Sequence, residues 1–363
     1  MVAPGQRSAS VPGHRGLVAA YFLVLGLIGG TAAAVFGEFD GDTPHIVEAA
    51  AASTPSPAPV QSLPLPVRRV PTGFRTLPAE ELAGMVETTT DGLRLPRISP
   101  SGWLPWIANA RRFDPSGPPA RIGLLVINVG ANEEAMRRAI EELPAEVSLA
   151  FLAGTPDLPR WLALARAHGH ESYLMLPIAD QGTAERGVRP IEAAVDAAEN
   201  LRRLRAVLAR GEGYAGLVVS SPDRVTQADD TMRPLVSEIA ERGLAVVEVN
   251  PAPGSASIQR LTEELGTGYA RSTDILDYKL AGDSVSGNLD RLVAWVGESP
   301  PDGQPRHAFG VVQPEGEAID AILAWHRRRE ASPPLSLVPL IGHFECRDAC
   351  MARLQLQPAQ LRP

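Results

Sequence analysis

Residues 122–129 (IGLLVINV) form a near-continuous apolar run, and seven further short runs of the same kind follow it. Such runs are typical of strands buried on both faces, as in a parallel sheet covered by helices. A stretch with helical periodicity separates nearly every pair, so strands and helices alternate along the chain. The other runs are 147–152, 171–178, 214–220, 244–249, 269–276, 307–312 and 335–340.

The stretches between the runs predict helices, of which residues 191–210 form the longest. Apolar residues recur there every three or four positions, as one buried helical stripe requires. Eight strand-and-helix units favour a closed (β/α) barrel over an open sheet, and such barrels carry functional residues where their strands end. The remaining predicted helices cover 133–142, 158–168, 230–242, 258–265, 287–296 and 317–329.

The N-terminal region predicts export. Residues 17–36 carry no charge and are long enough to span a bilayer as a single helix. Arg7 and Arg15 precede this segment and three acidic residues follow it, which predicts residues 1–16 in the cytoplasm. The alternative is a cleaved secretory signal that ends near Ala34. Both interpretations place the rest of the chain in the periplasm or outside the cell.

Composition divides the remainder into a linker, a domain and a tail. Residues 37–118 are rich in Pro and Ala and predict a linker, whose stretch 93–113 is apolar enough to pack on the domain as a belt. The barrel is predicted over 119–345 and a C-terminal tail over 346–363. A net charge of −8, spread along the chain, does not suggest a nucleic-acid partner.

Cys346 and Cys350 are the two cysteines of the chain. An oxidising compartment would permit a disulfide between them, although so short a loop adds little entropic stability. Two separate thiols are the alternative. His343 and Glu345 lie beside them, so a zinc site is a further possibility, without the usual paired Cys-x-x-Cys spacing. This spacing argues against the zinc site, and a disulfide or two separate thiols stay as the alternatives.

The order and spacing of several short motifs resemble the divergent polysaccharide deacetylase family of bacterial envelope proteins. The likeness extends from about residue 95 to residue 340. Its landmarks are 95–100 (LPRISP), 105–106 (PW), 110–113 (ARRF), 127–130 (INVG), 149–152 (LAFL), 169–171 (GHE), 176–177 (LP), 199–201 (ENL), 214–216 (YAG) and 241–244 (ERGL).

This resemblance implies a distorted (β/α) barrel with seven or eight strands, and a role in envelope carbohydrate metabolism. Members of the family are typically exported and often membrane-anchored. In the related deacetylases an Asp and two His hold a divalent metal, and a further carboxylate acts as base. The metal activates water and polarises the N-acetyl carbonyl.

The present chain departs from this pattern at the positions that would hold the metal. Asn128 and Val129 stand where relatives have paired Asp, and Met175 stands where many have His. Residues 220–223 (SSPD) and 310–312 (GVV) replace two further motifs that contain His. Asn, Met, Ser and Val do not substitute for Asp and His as ligands, so no bound metal is expected.

Polar residues at the strand ends are the remaining candidates for a site. Glu248 matches the carboxylate that relatives carry on strand five. The alternative role of these carboxylates is to cap the following helices or to pair with Arg224 and Arg271. The candidate catalytic residues are Glu248 and Asp274, and the candidate substrate-binding residues are Asn128, Ser220, Asp223, Asn250 and Asp277.

Three functions follow from these expectations. The first is a membrane-tethered domain that binds or senses envelope polysaccharide and has lost catalysis. The second is an active carbohydrate hydrolase that uses Glu248 with a second carboxylate as an acid–base pair. The third is a scaffold that holds an envelope protein against the outside of the barrel. Metal content and glycan binding would separate them.

Overall fold

The computed structural model describes residues 73–114, 118, 120–179, 187–221, 223–251, 256–278, 284–298, 306–329 and 335–345. The predicted anchor at 17–36 and both cysteines lie outside these residues. Within the described ranges, no helix combines the length and the apolar character needed to cross a membrane.

The strands form a small hairpin and one parallel sheet. The sheet runs in the order β8-β7-β6-β5-β4-β3-β10-β9, and β11 pairs in addition with the start of β3. The hairpin consists of β1 and β2, which are antiparallel. The strands are β1 (Val86–Thr88), β2 (Arg94–Pro96), β3 (Arg121–Val129), β4 (Ser148–Phe151), β5 (Ser172–Met175), β6 (Gly216–Ser220), β7 (Ala245–Val249), β8 (Tyr269–Arg271), β9 (Asp274–Ile275), β10 (His307–Val312) and β11 (Ser336–Leu337).

The two ends of this order are consecutive in the chain. β8 pairs with β7 and β9 pairs with β10, and only Ser272 and Thr273 separate them. The backbone N–H of Thr273 donates to the carbonyl of Phe309 across the junction, at 2.9 Å. The parallel sheet therefore curls round on itself, which confirms the predicted α/β class and the (β/α) barrel architecture.

Two predicted strands differ most from those observed. The run 269–276 is not one strand but two short ones, because it changes partner from β7 to β10 part-way along. The last run, 335–340, shortens to β11, and the chain then turns into a 3-10 helix at Leu340–His343. Pro339 lies at this transition and cannot donate a backbone hydrogen bond to a neighbouring strand.

Helices follow the strands on the outside of the sheet. The prediction for 191–210 was wrong at its start, because the helix is Ala197–Leu208. Asp196 caps it by accepting from Glu199 N at 2.9 Å, and Ile191 instead bridges to Ile178. The helices are α1 (Ala79–Gly84), α2 (Pro105–Ala108), α3 (Glu133–Glu142), α4 (Leu158–His168), α5 (Ala197–Leu208), α6 (Arg224–Gln227), α7 (Asp229–Glu241), α8 (Ser257–Leu265), α9 (Val285–Gly297) and α10 (Gly316–Arg329).

Successive side chains along each strand alternate between two apolar layers. Leu124 and Val126 of β3 belong to the layer between sheet and helices, whereas Leu125 faces the barrel interior. The interior is packed with side chains rather than open, as is usual for small parallel barrels. Its buried members include Leu125, Ala150, Tyr173, Val218, Val247, Phe309 and Val311.

The belt and the C-terminal segment cover the end of the barrel where the strands begin. Trp106 is buried in a cluster with Ala245 and Ile341, and its backbone N–H donates to the Gly243 carbonyl at 3.0 Å. The backbone N–H of Leu340 donates to Ser148 Oγ at 3.1 Å, and Leu340 joins the interior core. These contacts close the N-terminal end of the barrel.

A fully buried carboxylate lies at this closed end. Glu171 accepts from Arg111 N at 3.1 Å and from the Tyr173 hydroxyl. Burial raises the pKa of the Glu171 carboxyl to about 7, since the hydrogen bonds and the Arg111 charge offset only part of the desolvation. The folded protein therefore holds a proton there that an unfolded chain releases near pH 4.5.

We expect Glu171→Gln to change the pH dependence of stability. In the wild type, the stability that this group contributes is fully present below pH 4.5 and is lost as the pH rises through about 7. The variant has no such proton to lose. Its free energy of unfolding relative to wild type should rise by on the order of 3 kcal/mol between about pH 4 and pH 8.

Chemical denaturation of the two chains at both pH values measures this difference. Glu134→Gln, at an exposed position of α3, is the matched control. A Glu171→Gln difference that stays constant with pH would contradict the assignment.

Candidate functional site

Two asparagines at the C-terminal end of the barrel have left-handed backbone conformations. Asn128 in β3 has a φ of 56° and Asn250, directly after β7, has a φ of 54°. Asn tolerates this region better than other non-glycine residues, because its short side chain can hydrogen-bond locally. At Asn128 the pairing of β3 with β4 also shifts register. Asn250 turns the chain out of the sheet after β7, whereas Asn128 lies at the irregularity one residue before the end of β3.

Polar residues line the ends of neighbouring strands on one side of this rim. Ser220 ends β6, Asn250 follows β7, and Asp274 begins β9. Ser272, two residues before Asp274, holds Asn250 in place, since its Oγ accepts from Asn250 N at 3.0 Å. Asp277 lies just beyond β9. We call Ser220, Asn250, Asp274 and Asp277 the polar arc.

The far end of the polar arc is tied to β10. Asp277 Oδ2 accepts from the backbone N–H of Gln313 at 2.7 Å. Asp274 and Asn250 are exposed, whereas Ser220 and Asp277 are half-buried. The structure thus brings four of the predicted site residues to one side of the rim.

An exposed tyrosine adjoins the polar arc. Tyr278 follows Asp277 and is 66% exposed. Its backbone is held, because its N–H donates to the Ile275 carbonyl at 3.3 Å and its carbonyl accepts from Asn288 Nδ2 at 3.4 Å. The backbone of Tyr278 is therefore held while its ring is exposed to solvent. Sequence reasoning missed this residue, although a lone aromatic after a predicted strand end was a usable signal.

Glu248 does not face the rim. In β7, Val247 and Val249 point into the barrel, so Val246 and Glu248 point toward the helices. The Glu248 side chain is only 2% exposed and accepts from Ser221 Oγ at 2.7 Å and from the Tyr269 hydroxyl. Burial, together with the adjacent carboxylate, raises the pKa of the Tyr269 phenol, which keeps it a donor.

The two candidate catalytic carboxylates therefore lie in different environments. Glu248 is enclosed between two hydroxyls in the helix-facing layer. Asp274 is exposed, and its Oδ1 accepts from the backbone N–H of Ile275 at 2.8 Å. An acid–base pair needs both groups on one reacting centre, and this arrangement does not provide that.

Asp223 serves the local backbone. It is the N-cap of α6, where its Oδ1 accepts from Val225 N at 2.7 Å. Thr226 completes a capping box, since its Oγ1 accepts from Asp223 N at 3.0 Å. The capping role considered from the sequence is thus observed for this carboxylate.

The interior of the barrel at its C-terminal end does not suit a divalent metal. Among the described residues, no group of three or more His, Cys, Asp or Glu is placed to hold one. A metal site requires several oxygen or nitrogen donors that converge on one point. The inward-facing residues near the strand ends are instead Ile127, Leu152, Met175, Val249 and Val311.

We expect Glu248→Ala to destabilise the fold by about 2–4 kcal/mol, because it opens a cavity and leaves two buried hydroxyls without their acceptor. The matched control is Asp274→Ala, an exposed carboxylate near the same junction, which should change stability by less than about 0.5 kcal/mol. Thermal or chemical unfolding of both variants provides the measurement. Equal effects would contradict a structural role for Glu248.

Comparison with known proteins places the chain in context. A family model described as divergent polysaccharide deacetylase matches residues 125–340. An uncharacterized protein, ATU2773 from Agrobacterium tumefaciens C58, is similar in structure at a TM-score of 0.60 with 25% sequence identity, over 69% of this chain and 99% of that chain. Deoxyribose phosphate aldolase from Aeropyrum pernix matches at a TM-score of 0.34 and 15% identity, over 58% and 90% respectively. No curated protein sequence matches the chain.

Proposed function

The chain belongs to the divergent polysaccharide deacetylase family, and from that premise we propose that it binds an envelope polysaccharide without deacetylating it. The site is the polar arc together with Tyr278. The observation that carries the proposal is the combination of exposed and half-buried hydrogen-bonding groups with one exposed aromatic ring at the strand-end rim.

The polar arc supplies what sugar hydroxyls require. The Ser220 hydroxyl and the Asn250 amide can both donate and accept, and the Asp274 carboxylate accepts. Ser220 pairs with Val249 of β7, the backbone N–H of Asn250 donates to Ser272 Oγ, and Asp274 pairs with Gly310 of β10. The backbone at each position is therefore held before a ligand arrives. Such pre-organisation reduces the ordering cost of binding.

Tyr278 supplies the apolar half of the site. A pyranose ring has a face of C–H groups that packs against an aromatic ring, while its hydroxyls reach polar neighbours. A tyrosine with a held backbone and a solvent-exposed ring suits this contact, since it carries large contact area with little side-chain entropy to lose.

The donor set argues against the metal-dependent reaction of the related deacetylases. The inward-facing residues at the described strand ends are apolar, and Glu248 is held in the helix-facing layer by two hydroxyls. No step of a deacetylation is therefore assigned to these residues. An active hydrolase based on Glu248 and Asp274, and a scaffold for an envelope protein, are the competing proposals.

We further propose that the barrel is exported and tethered to the membrane. The uncharged stretch 17–36, with arginines before it and acidic residues after it, supports this topology. In such an arrangement the tether of residues 37–72 would let the barrel reach polysaccharide at some distance from the bilayer.

Removal of the Tyr278 ring should weaken sugar binding. We expect Tyr278→Ala to reduce the affinity for an oligomer of N-acetylglucosamine by about tenfold, because the stacking surface is lost. Tyr278→Phe retains that surface and should retain most of the affinity. Isothermal titration calorimetry with the full chain measures both.

The matched control is Trp295→Ala, which removes a second exposed aromatic ring, 42% exposed on α9, from outside the polar arc. It should leave the affinity unchanged. Equal losses in Tyr278→Ala and Trp295→Ala, or none in either, would contradict the assignment of the site.

The proposal also predicts the metal content and the absence of acetate release. The purified full chain should contain far less than one divalent metal ion per chain, and should release no acetate from the same oligomer, because the described strand ends lack a ligand set. Elemental analysis and an acetate assay measure these quantities. A stoichiometric metal together with acetate release would establish a metal-dependent deacetylase instead, and acetate release without a metal would favour the hydrolase based on Glu248 and Asp274.

A further inference from the structure

A groove lies on the outside of the barrel, at the end opposite the polar arc. It is bounded by α1 and the β1–β2 hairpin on one side, and by α4 and the α5–β6 connection on the other. Its volume of about 650 Å³ is within the range of small-molecule sites. Most of its lining is apolar and includes Leu82, Met85, Pro96, Pro159, Leu162 and Tyr214.

Two cations in this groove, Arg166 and Arg210, form no ion pair with a carboxylate of the described residues. The guanidinium of Arg166 lies 4.2 Å from the centroid of the Phe74 ring, and no carboxylate of the described chain forms an ion pair with it. Burial lowers the pKa of Arg166. Desolvation of a charge is costly unless a counter-charge compensates it, and an aromatic face compensates only in part.

The other polar groups of the groove already have partners. Arg94 forms an ion pair with Glu212 at 2.7 Å, and Arg210 Nε donates to the Ala153 carbonyl at 2.9 Å. Asn109 Nδ2 donates to the Tyr214 carbonyl at 3.1 Å. The charged residues that line the groove are Arg94, Arg166, Arg210 and Glu212. Arg94 neutralises Glu212, so the charges of the other two arginines are not balanced within this lining. The groove is apolar in its walls and positive in its charge.

We propose that this groove binds an amphiphilic anion, with its alkyl chain against the apolar wall and its carboxylate or phosphate on Arg166. Arginine forms paired hydrogen bonds with either head group, because the planar guanidinium matches the geometry of both. The hydrocarbon chain would cover Leu82 and Leu162, and burial of its methylenes drives its transfer from water. This site is separate from the polar arc and does not depend on sugar binding.

The proposal can be tested by photo-labelling the full chain. The probe is an eight-carbon carboxylate that carries a diazirine in its alkyl chain, and labelled positions are mapped by peptide mass spectrometry. Labelling should concentrate on α1 and α4. Unlabelled octanoate, octyl phosphate, octanol and inorganic phosphate then serve as competitors, so that the contributions of chain and head group are separated.

We expect octanoate, octyl phosphate or both to compete at concentrations at least about tenfold lower than octanol or inorganic phosphate, since both halves of the ligand contribute. The relative strength of the first two identifies the head group. Arg166→Gln should reduce labelling about tenfold. Leu82→Asp, at a position that is 45% exposed and so tolerant of change, should reduce it as well.

The matched control is Arg160→Gln on the same helix, where the guanidinium lies 5.9 Å from the Trp161 ring and does not line the groove. It should leave labelling unchanged. The proposal is overturned if octanol or inorganic phosphate competes as well as octanoate and octyl phosphate, if labelling falls mainly outside the residues that line the groove, or if Arg166→Gln labels like Arg160→Gln.

Discussion

The junction at Ser272 and Thr273 is the constraint on which both the barrel and its rim depend. On one side of this junction β8 pairs with β7, and on the other side β9 pairs with β10. One continuous segment therefore links the two ends of the curled sheet. The same residues support the polar arc, because Ser272 N donates to the Glu248 carbonyl at 2.8 Å and Ser272 Oγ accepts from Asn250 N. Fold closure and site geometry thus share one set of hydrogen bonds.

The sequence predicted the strands well because a parallel sheet buries both faces, and its strands therefore appear as unbroken apolar runs. That same property hides the direction of each side chain. In 244–249 (LAVVEV) apolar residues occupy both faces, so the sequence could not tell that Glu248 points toward the helices. An apolar run also does not show which strands it will pair with. The change within 269–276 from pairing with β7 to pairing with β10 was therefore not predicted.

The sequence indicated that the candidate residues lie at strand ends but not which hydrogen bonds they form. Strand ends of a barrel are expected to carry function, and Ser220, Asn250, Asp274 and Asp277 lie at or just beyond strand ends, although their role in a site stays a prediction. The role of each depends on hydrogen bonds between distant segments, such as that from Gln313 N to Asp277, which no local pattern encodes. Asp223 is the exception, because a helix cap is a local motif and could be proposed from spacing alone.

The pairing of β11 with β3 has a consequence for how the molecule matures. Ser336 lies beside Arg121, and Leu340 is bonded to Ser148, so the first barrel strand acquires its last neighbour only when nearly the whole polypeptide is present. Contacts between such distant segments form slowly, since a long loop must be ordered before they can stabilise anything. A chain still emerging from a ribosome or a translocation channel would display an unprotected strand edge, and its assembly would have to await release.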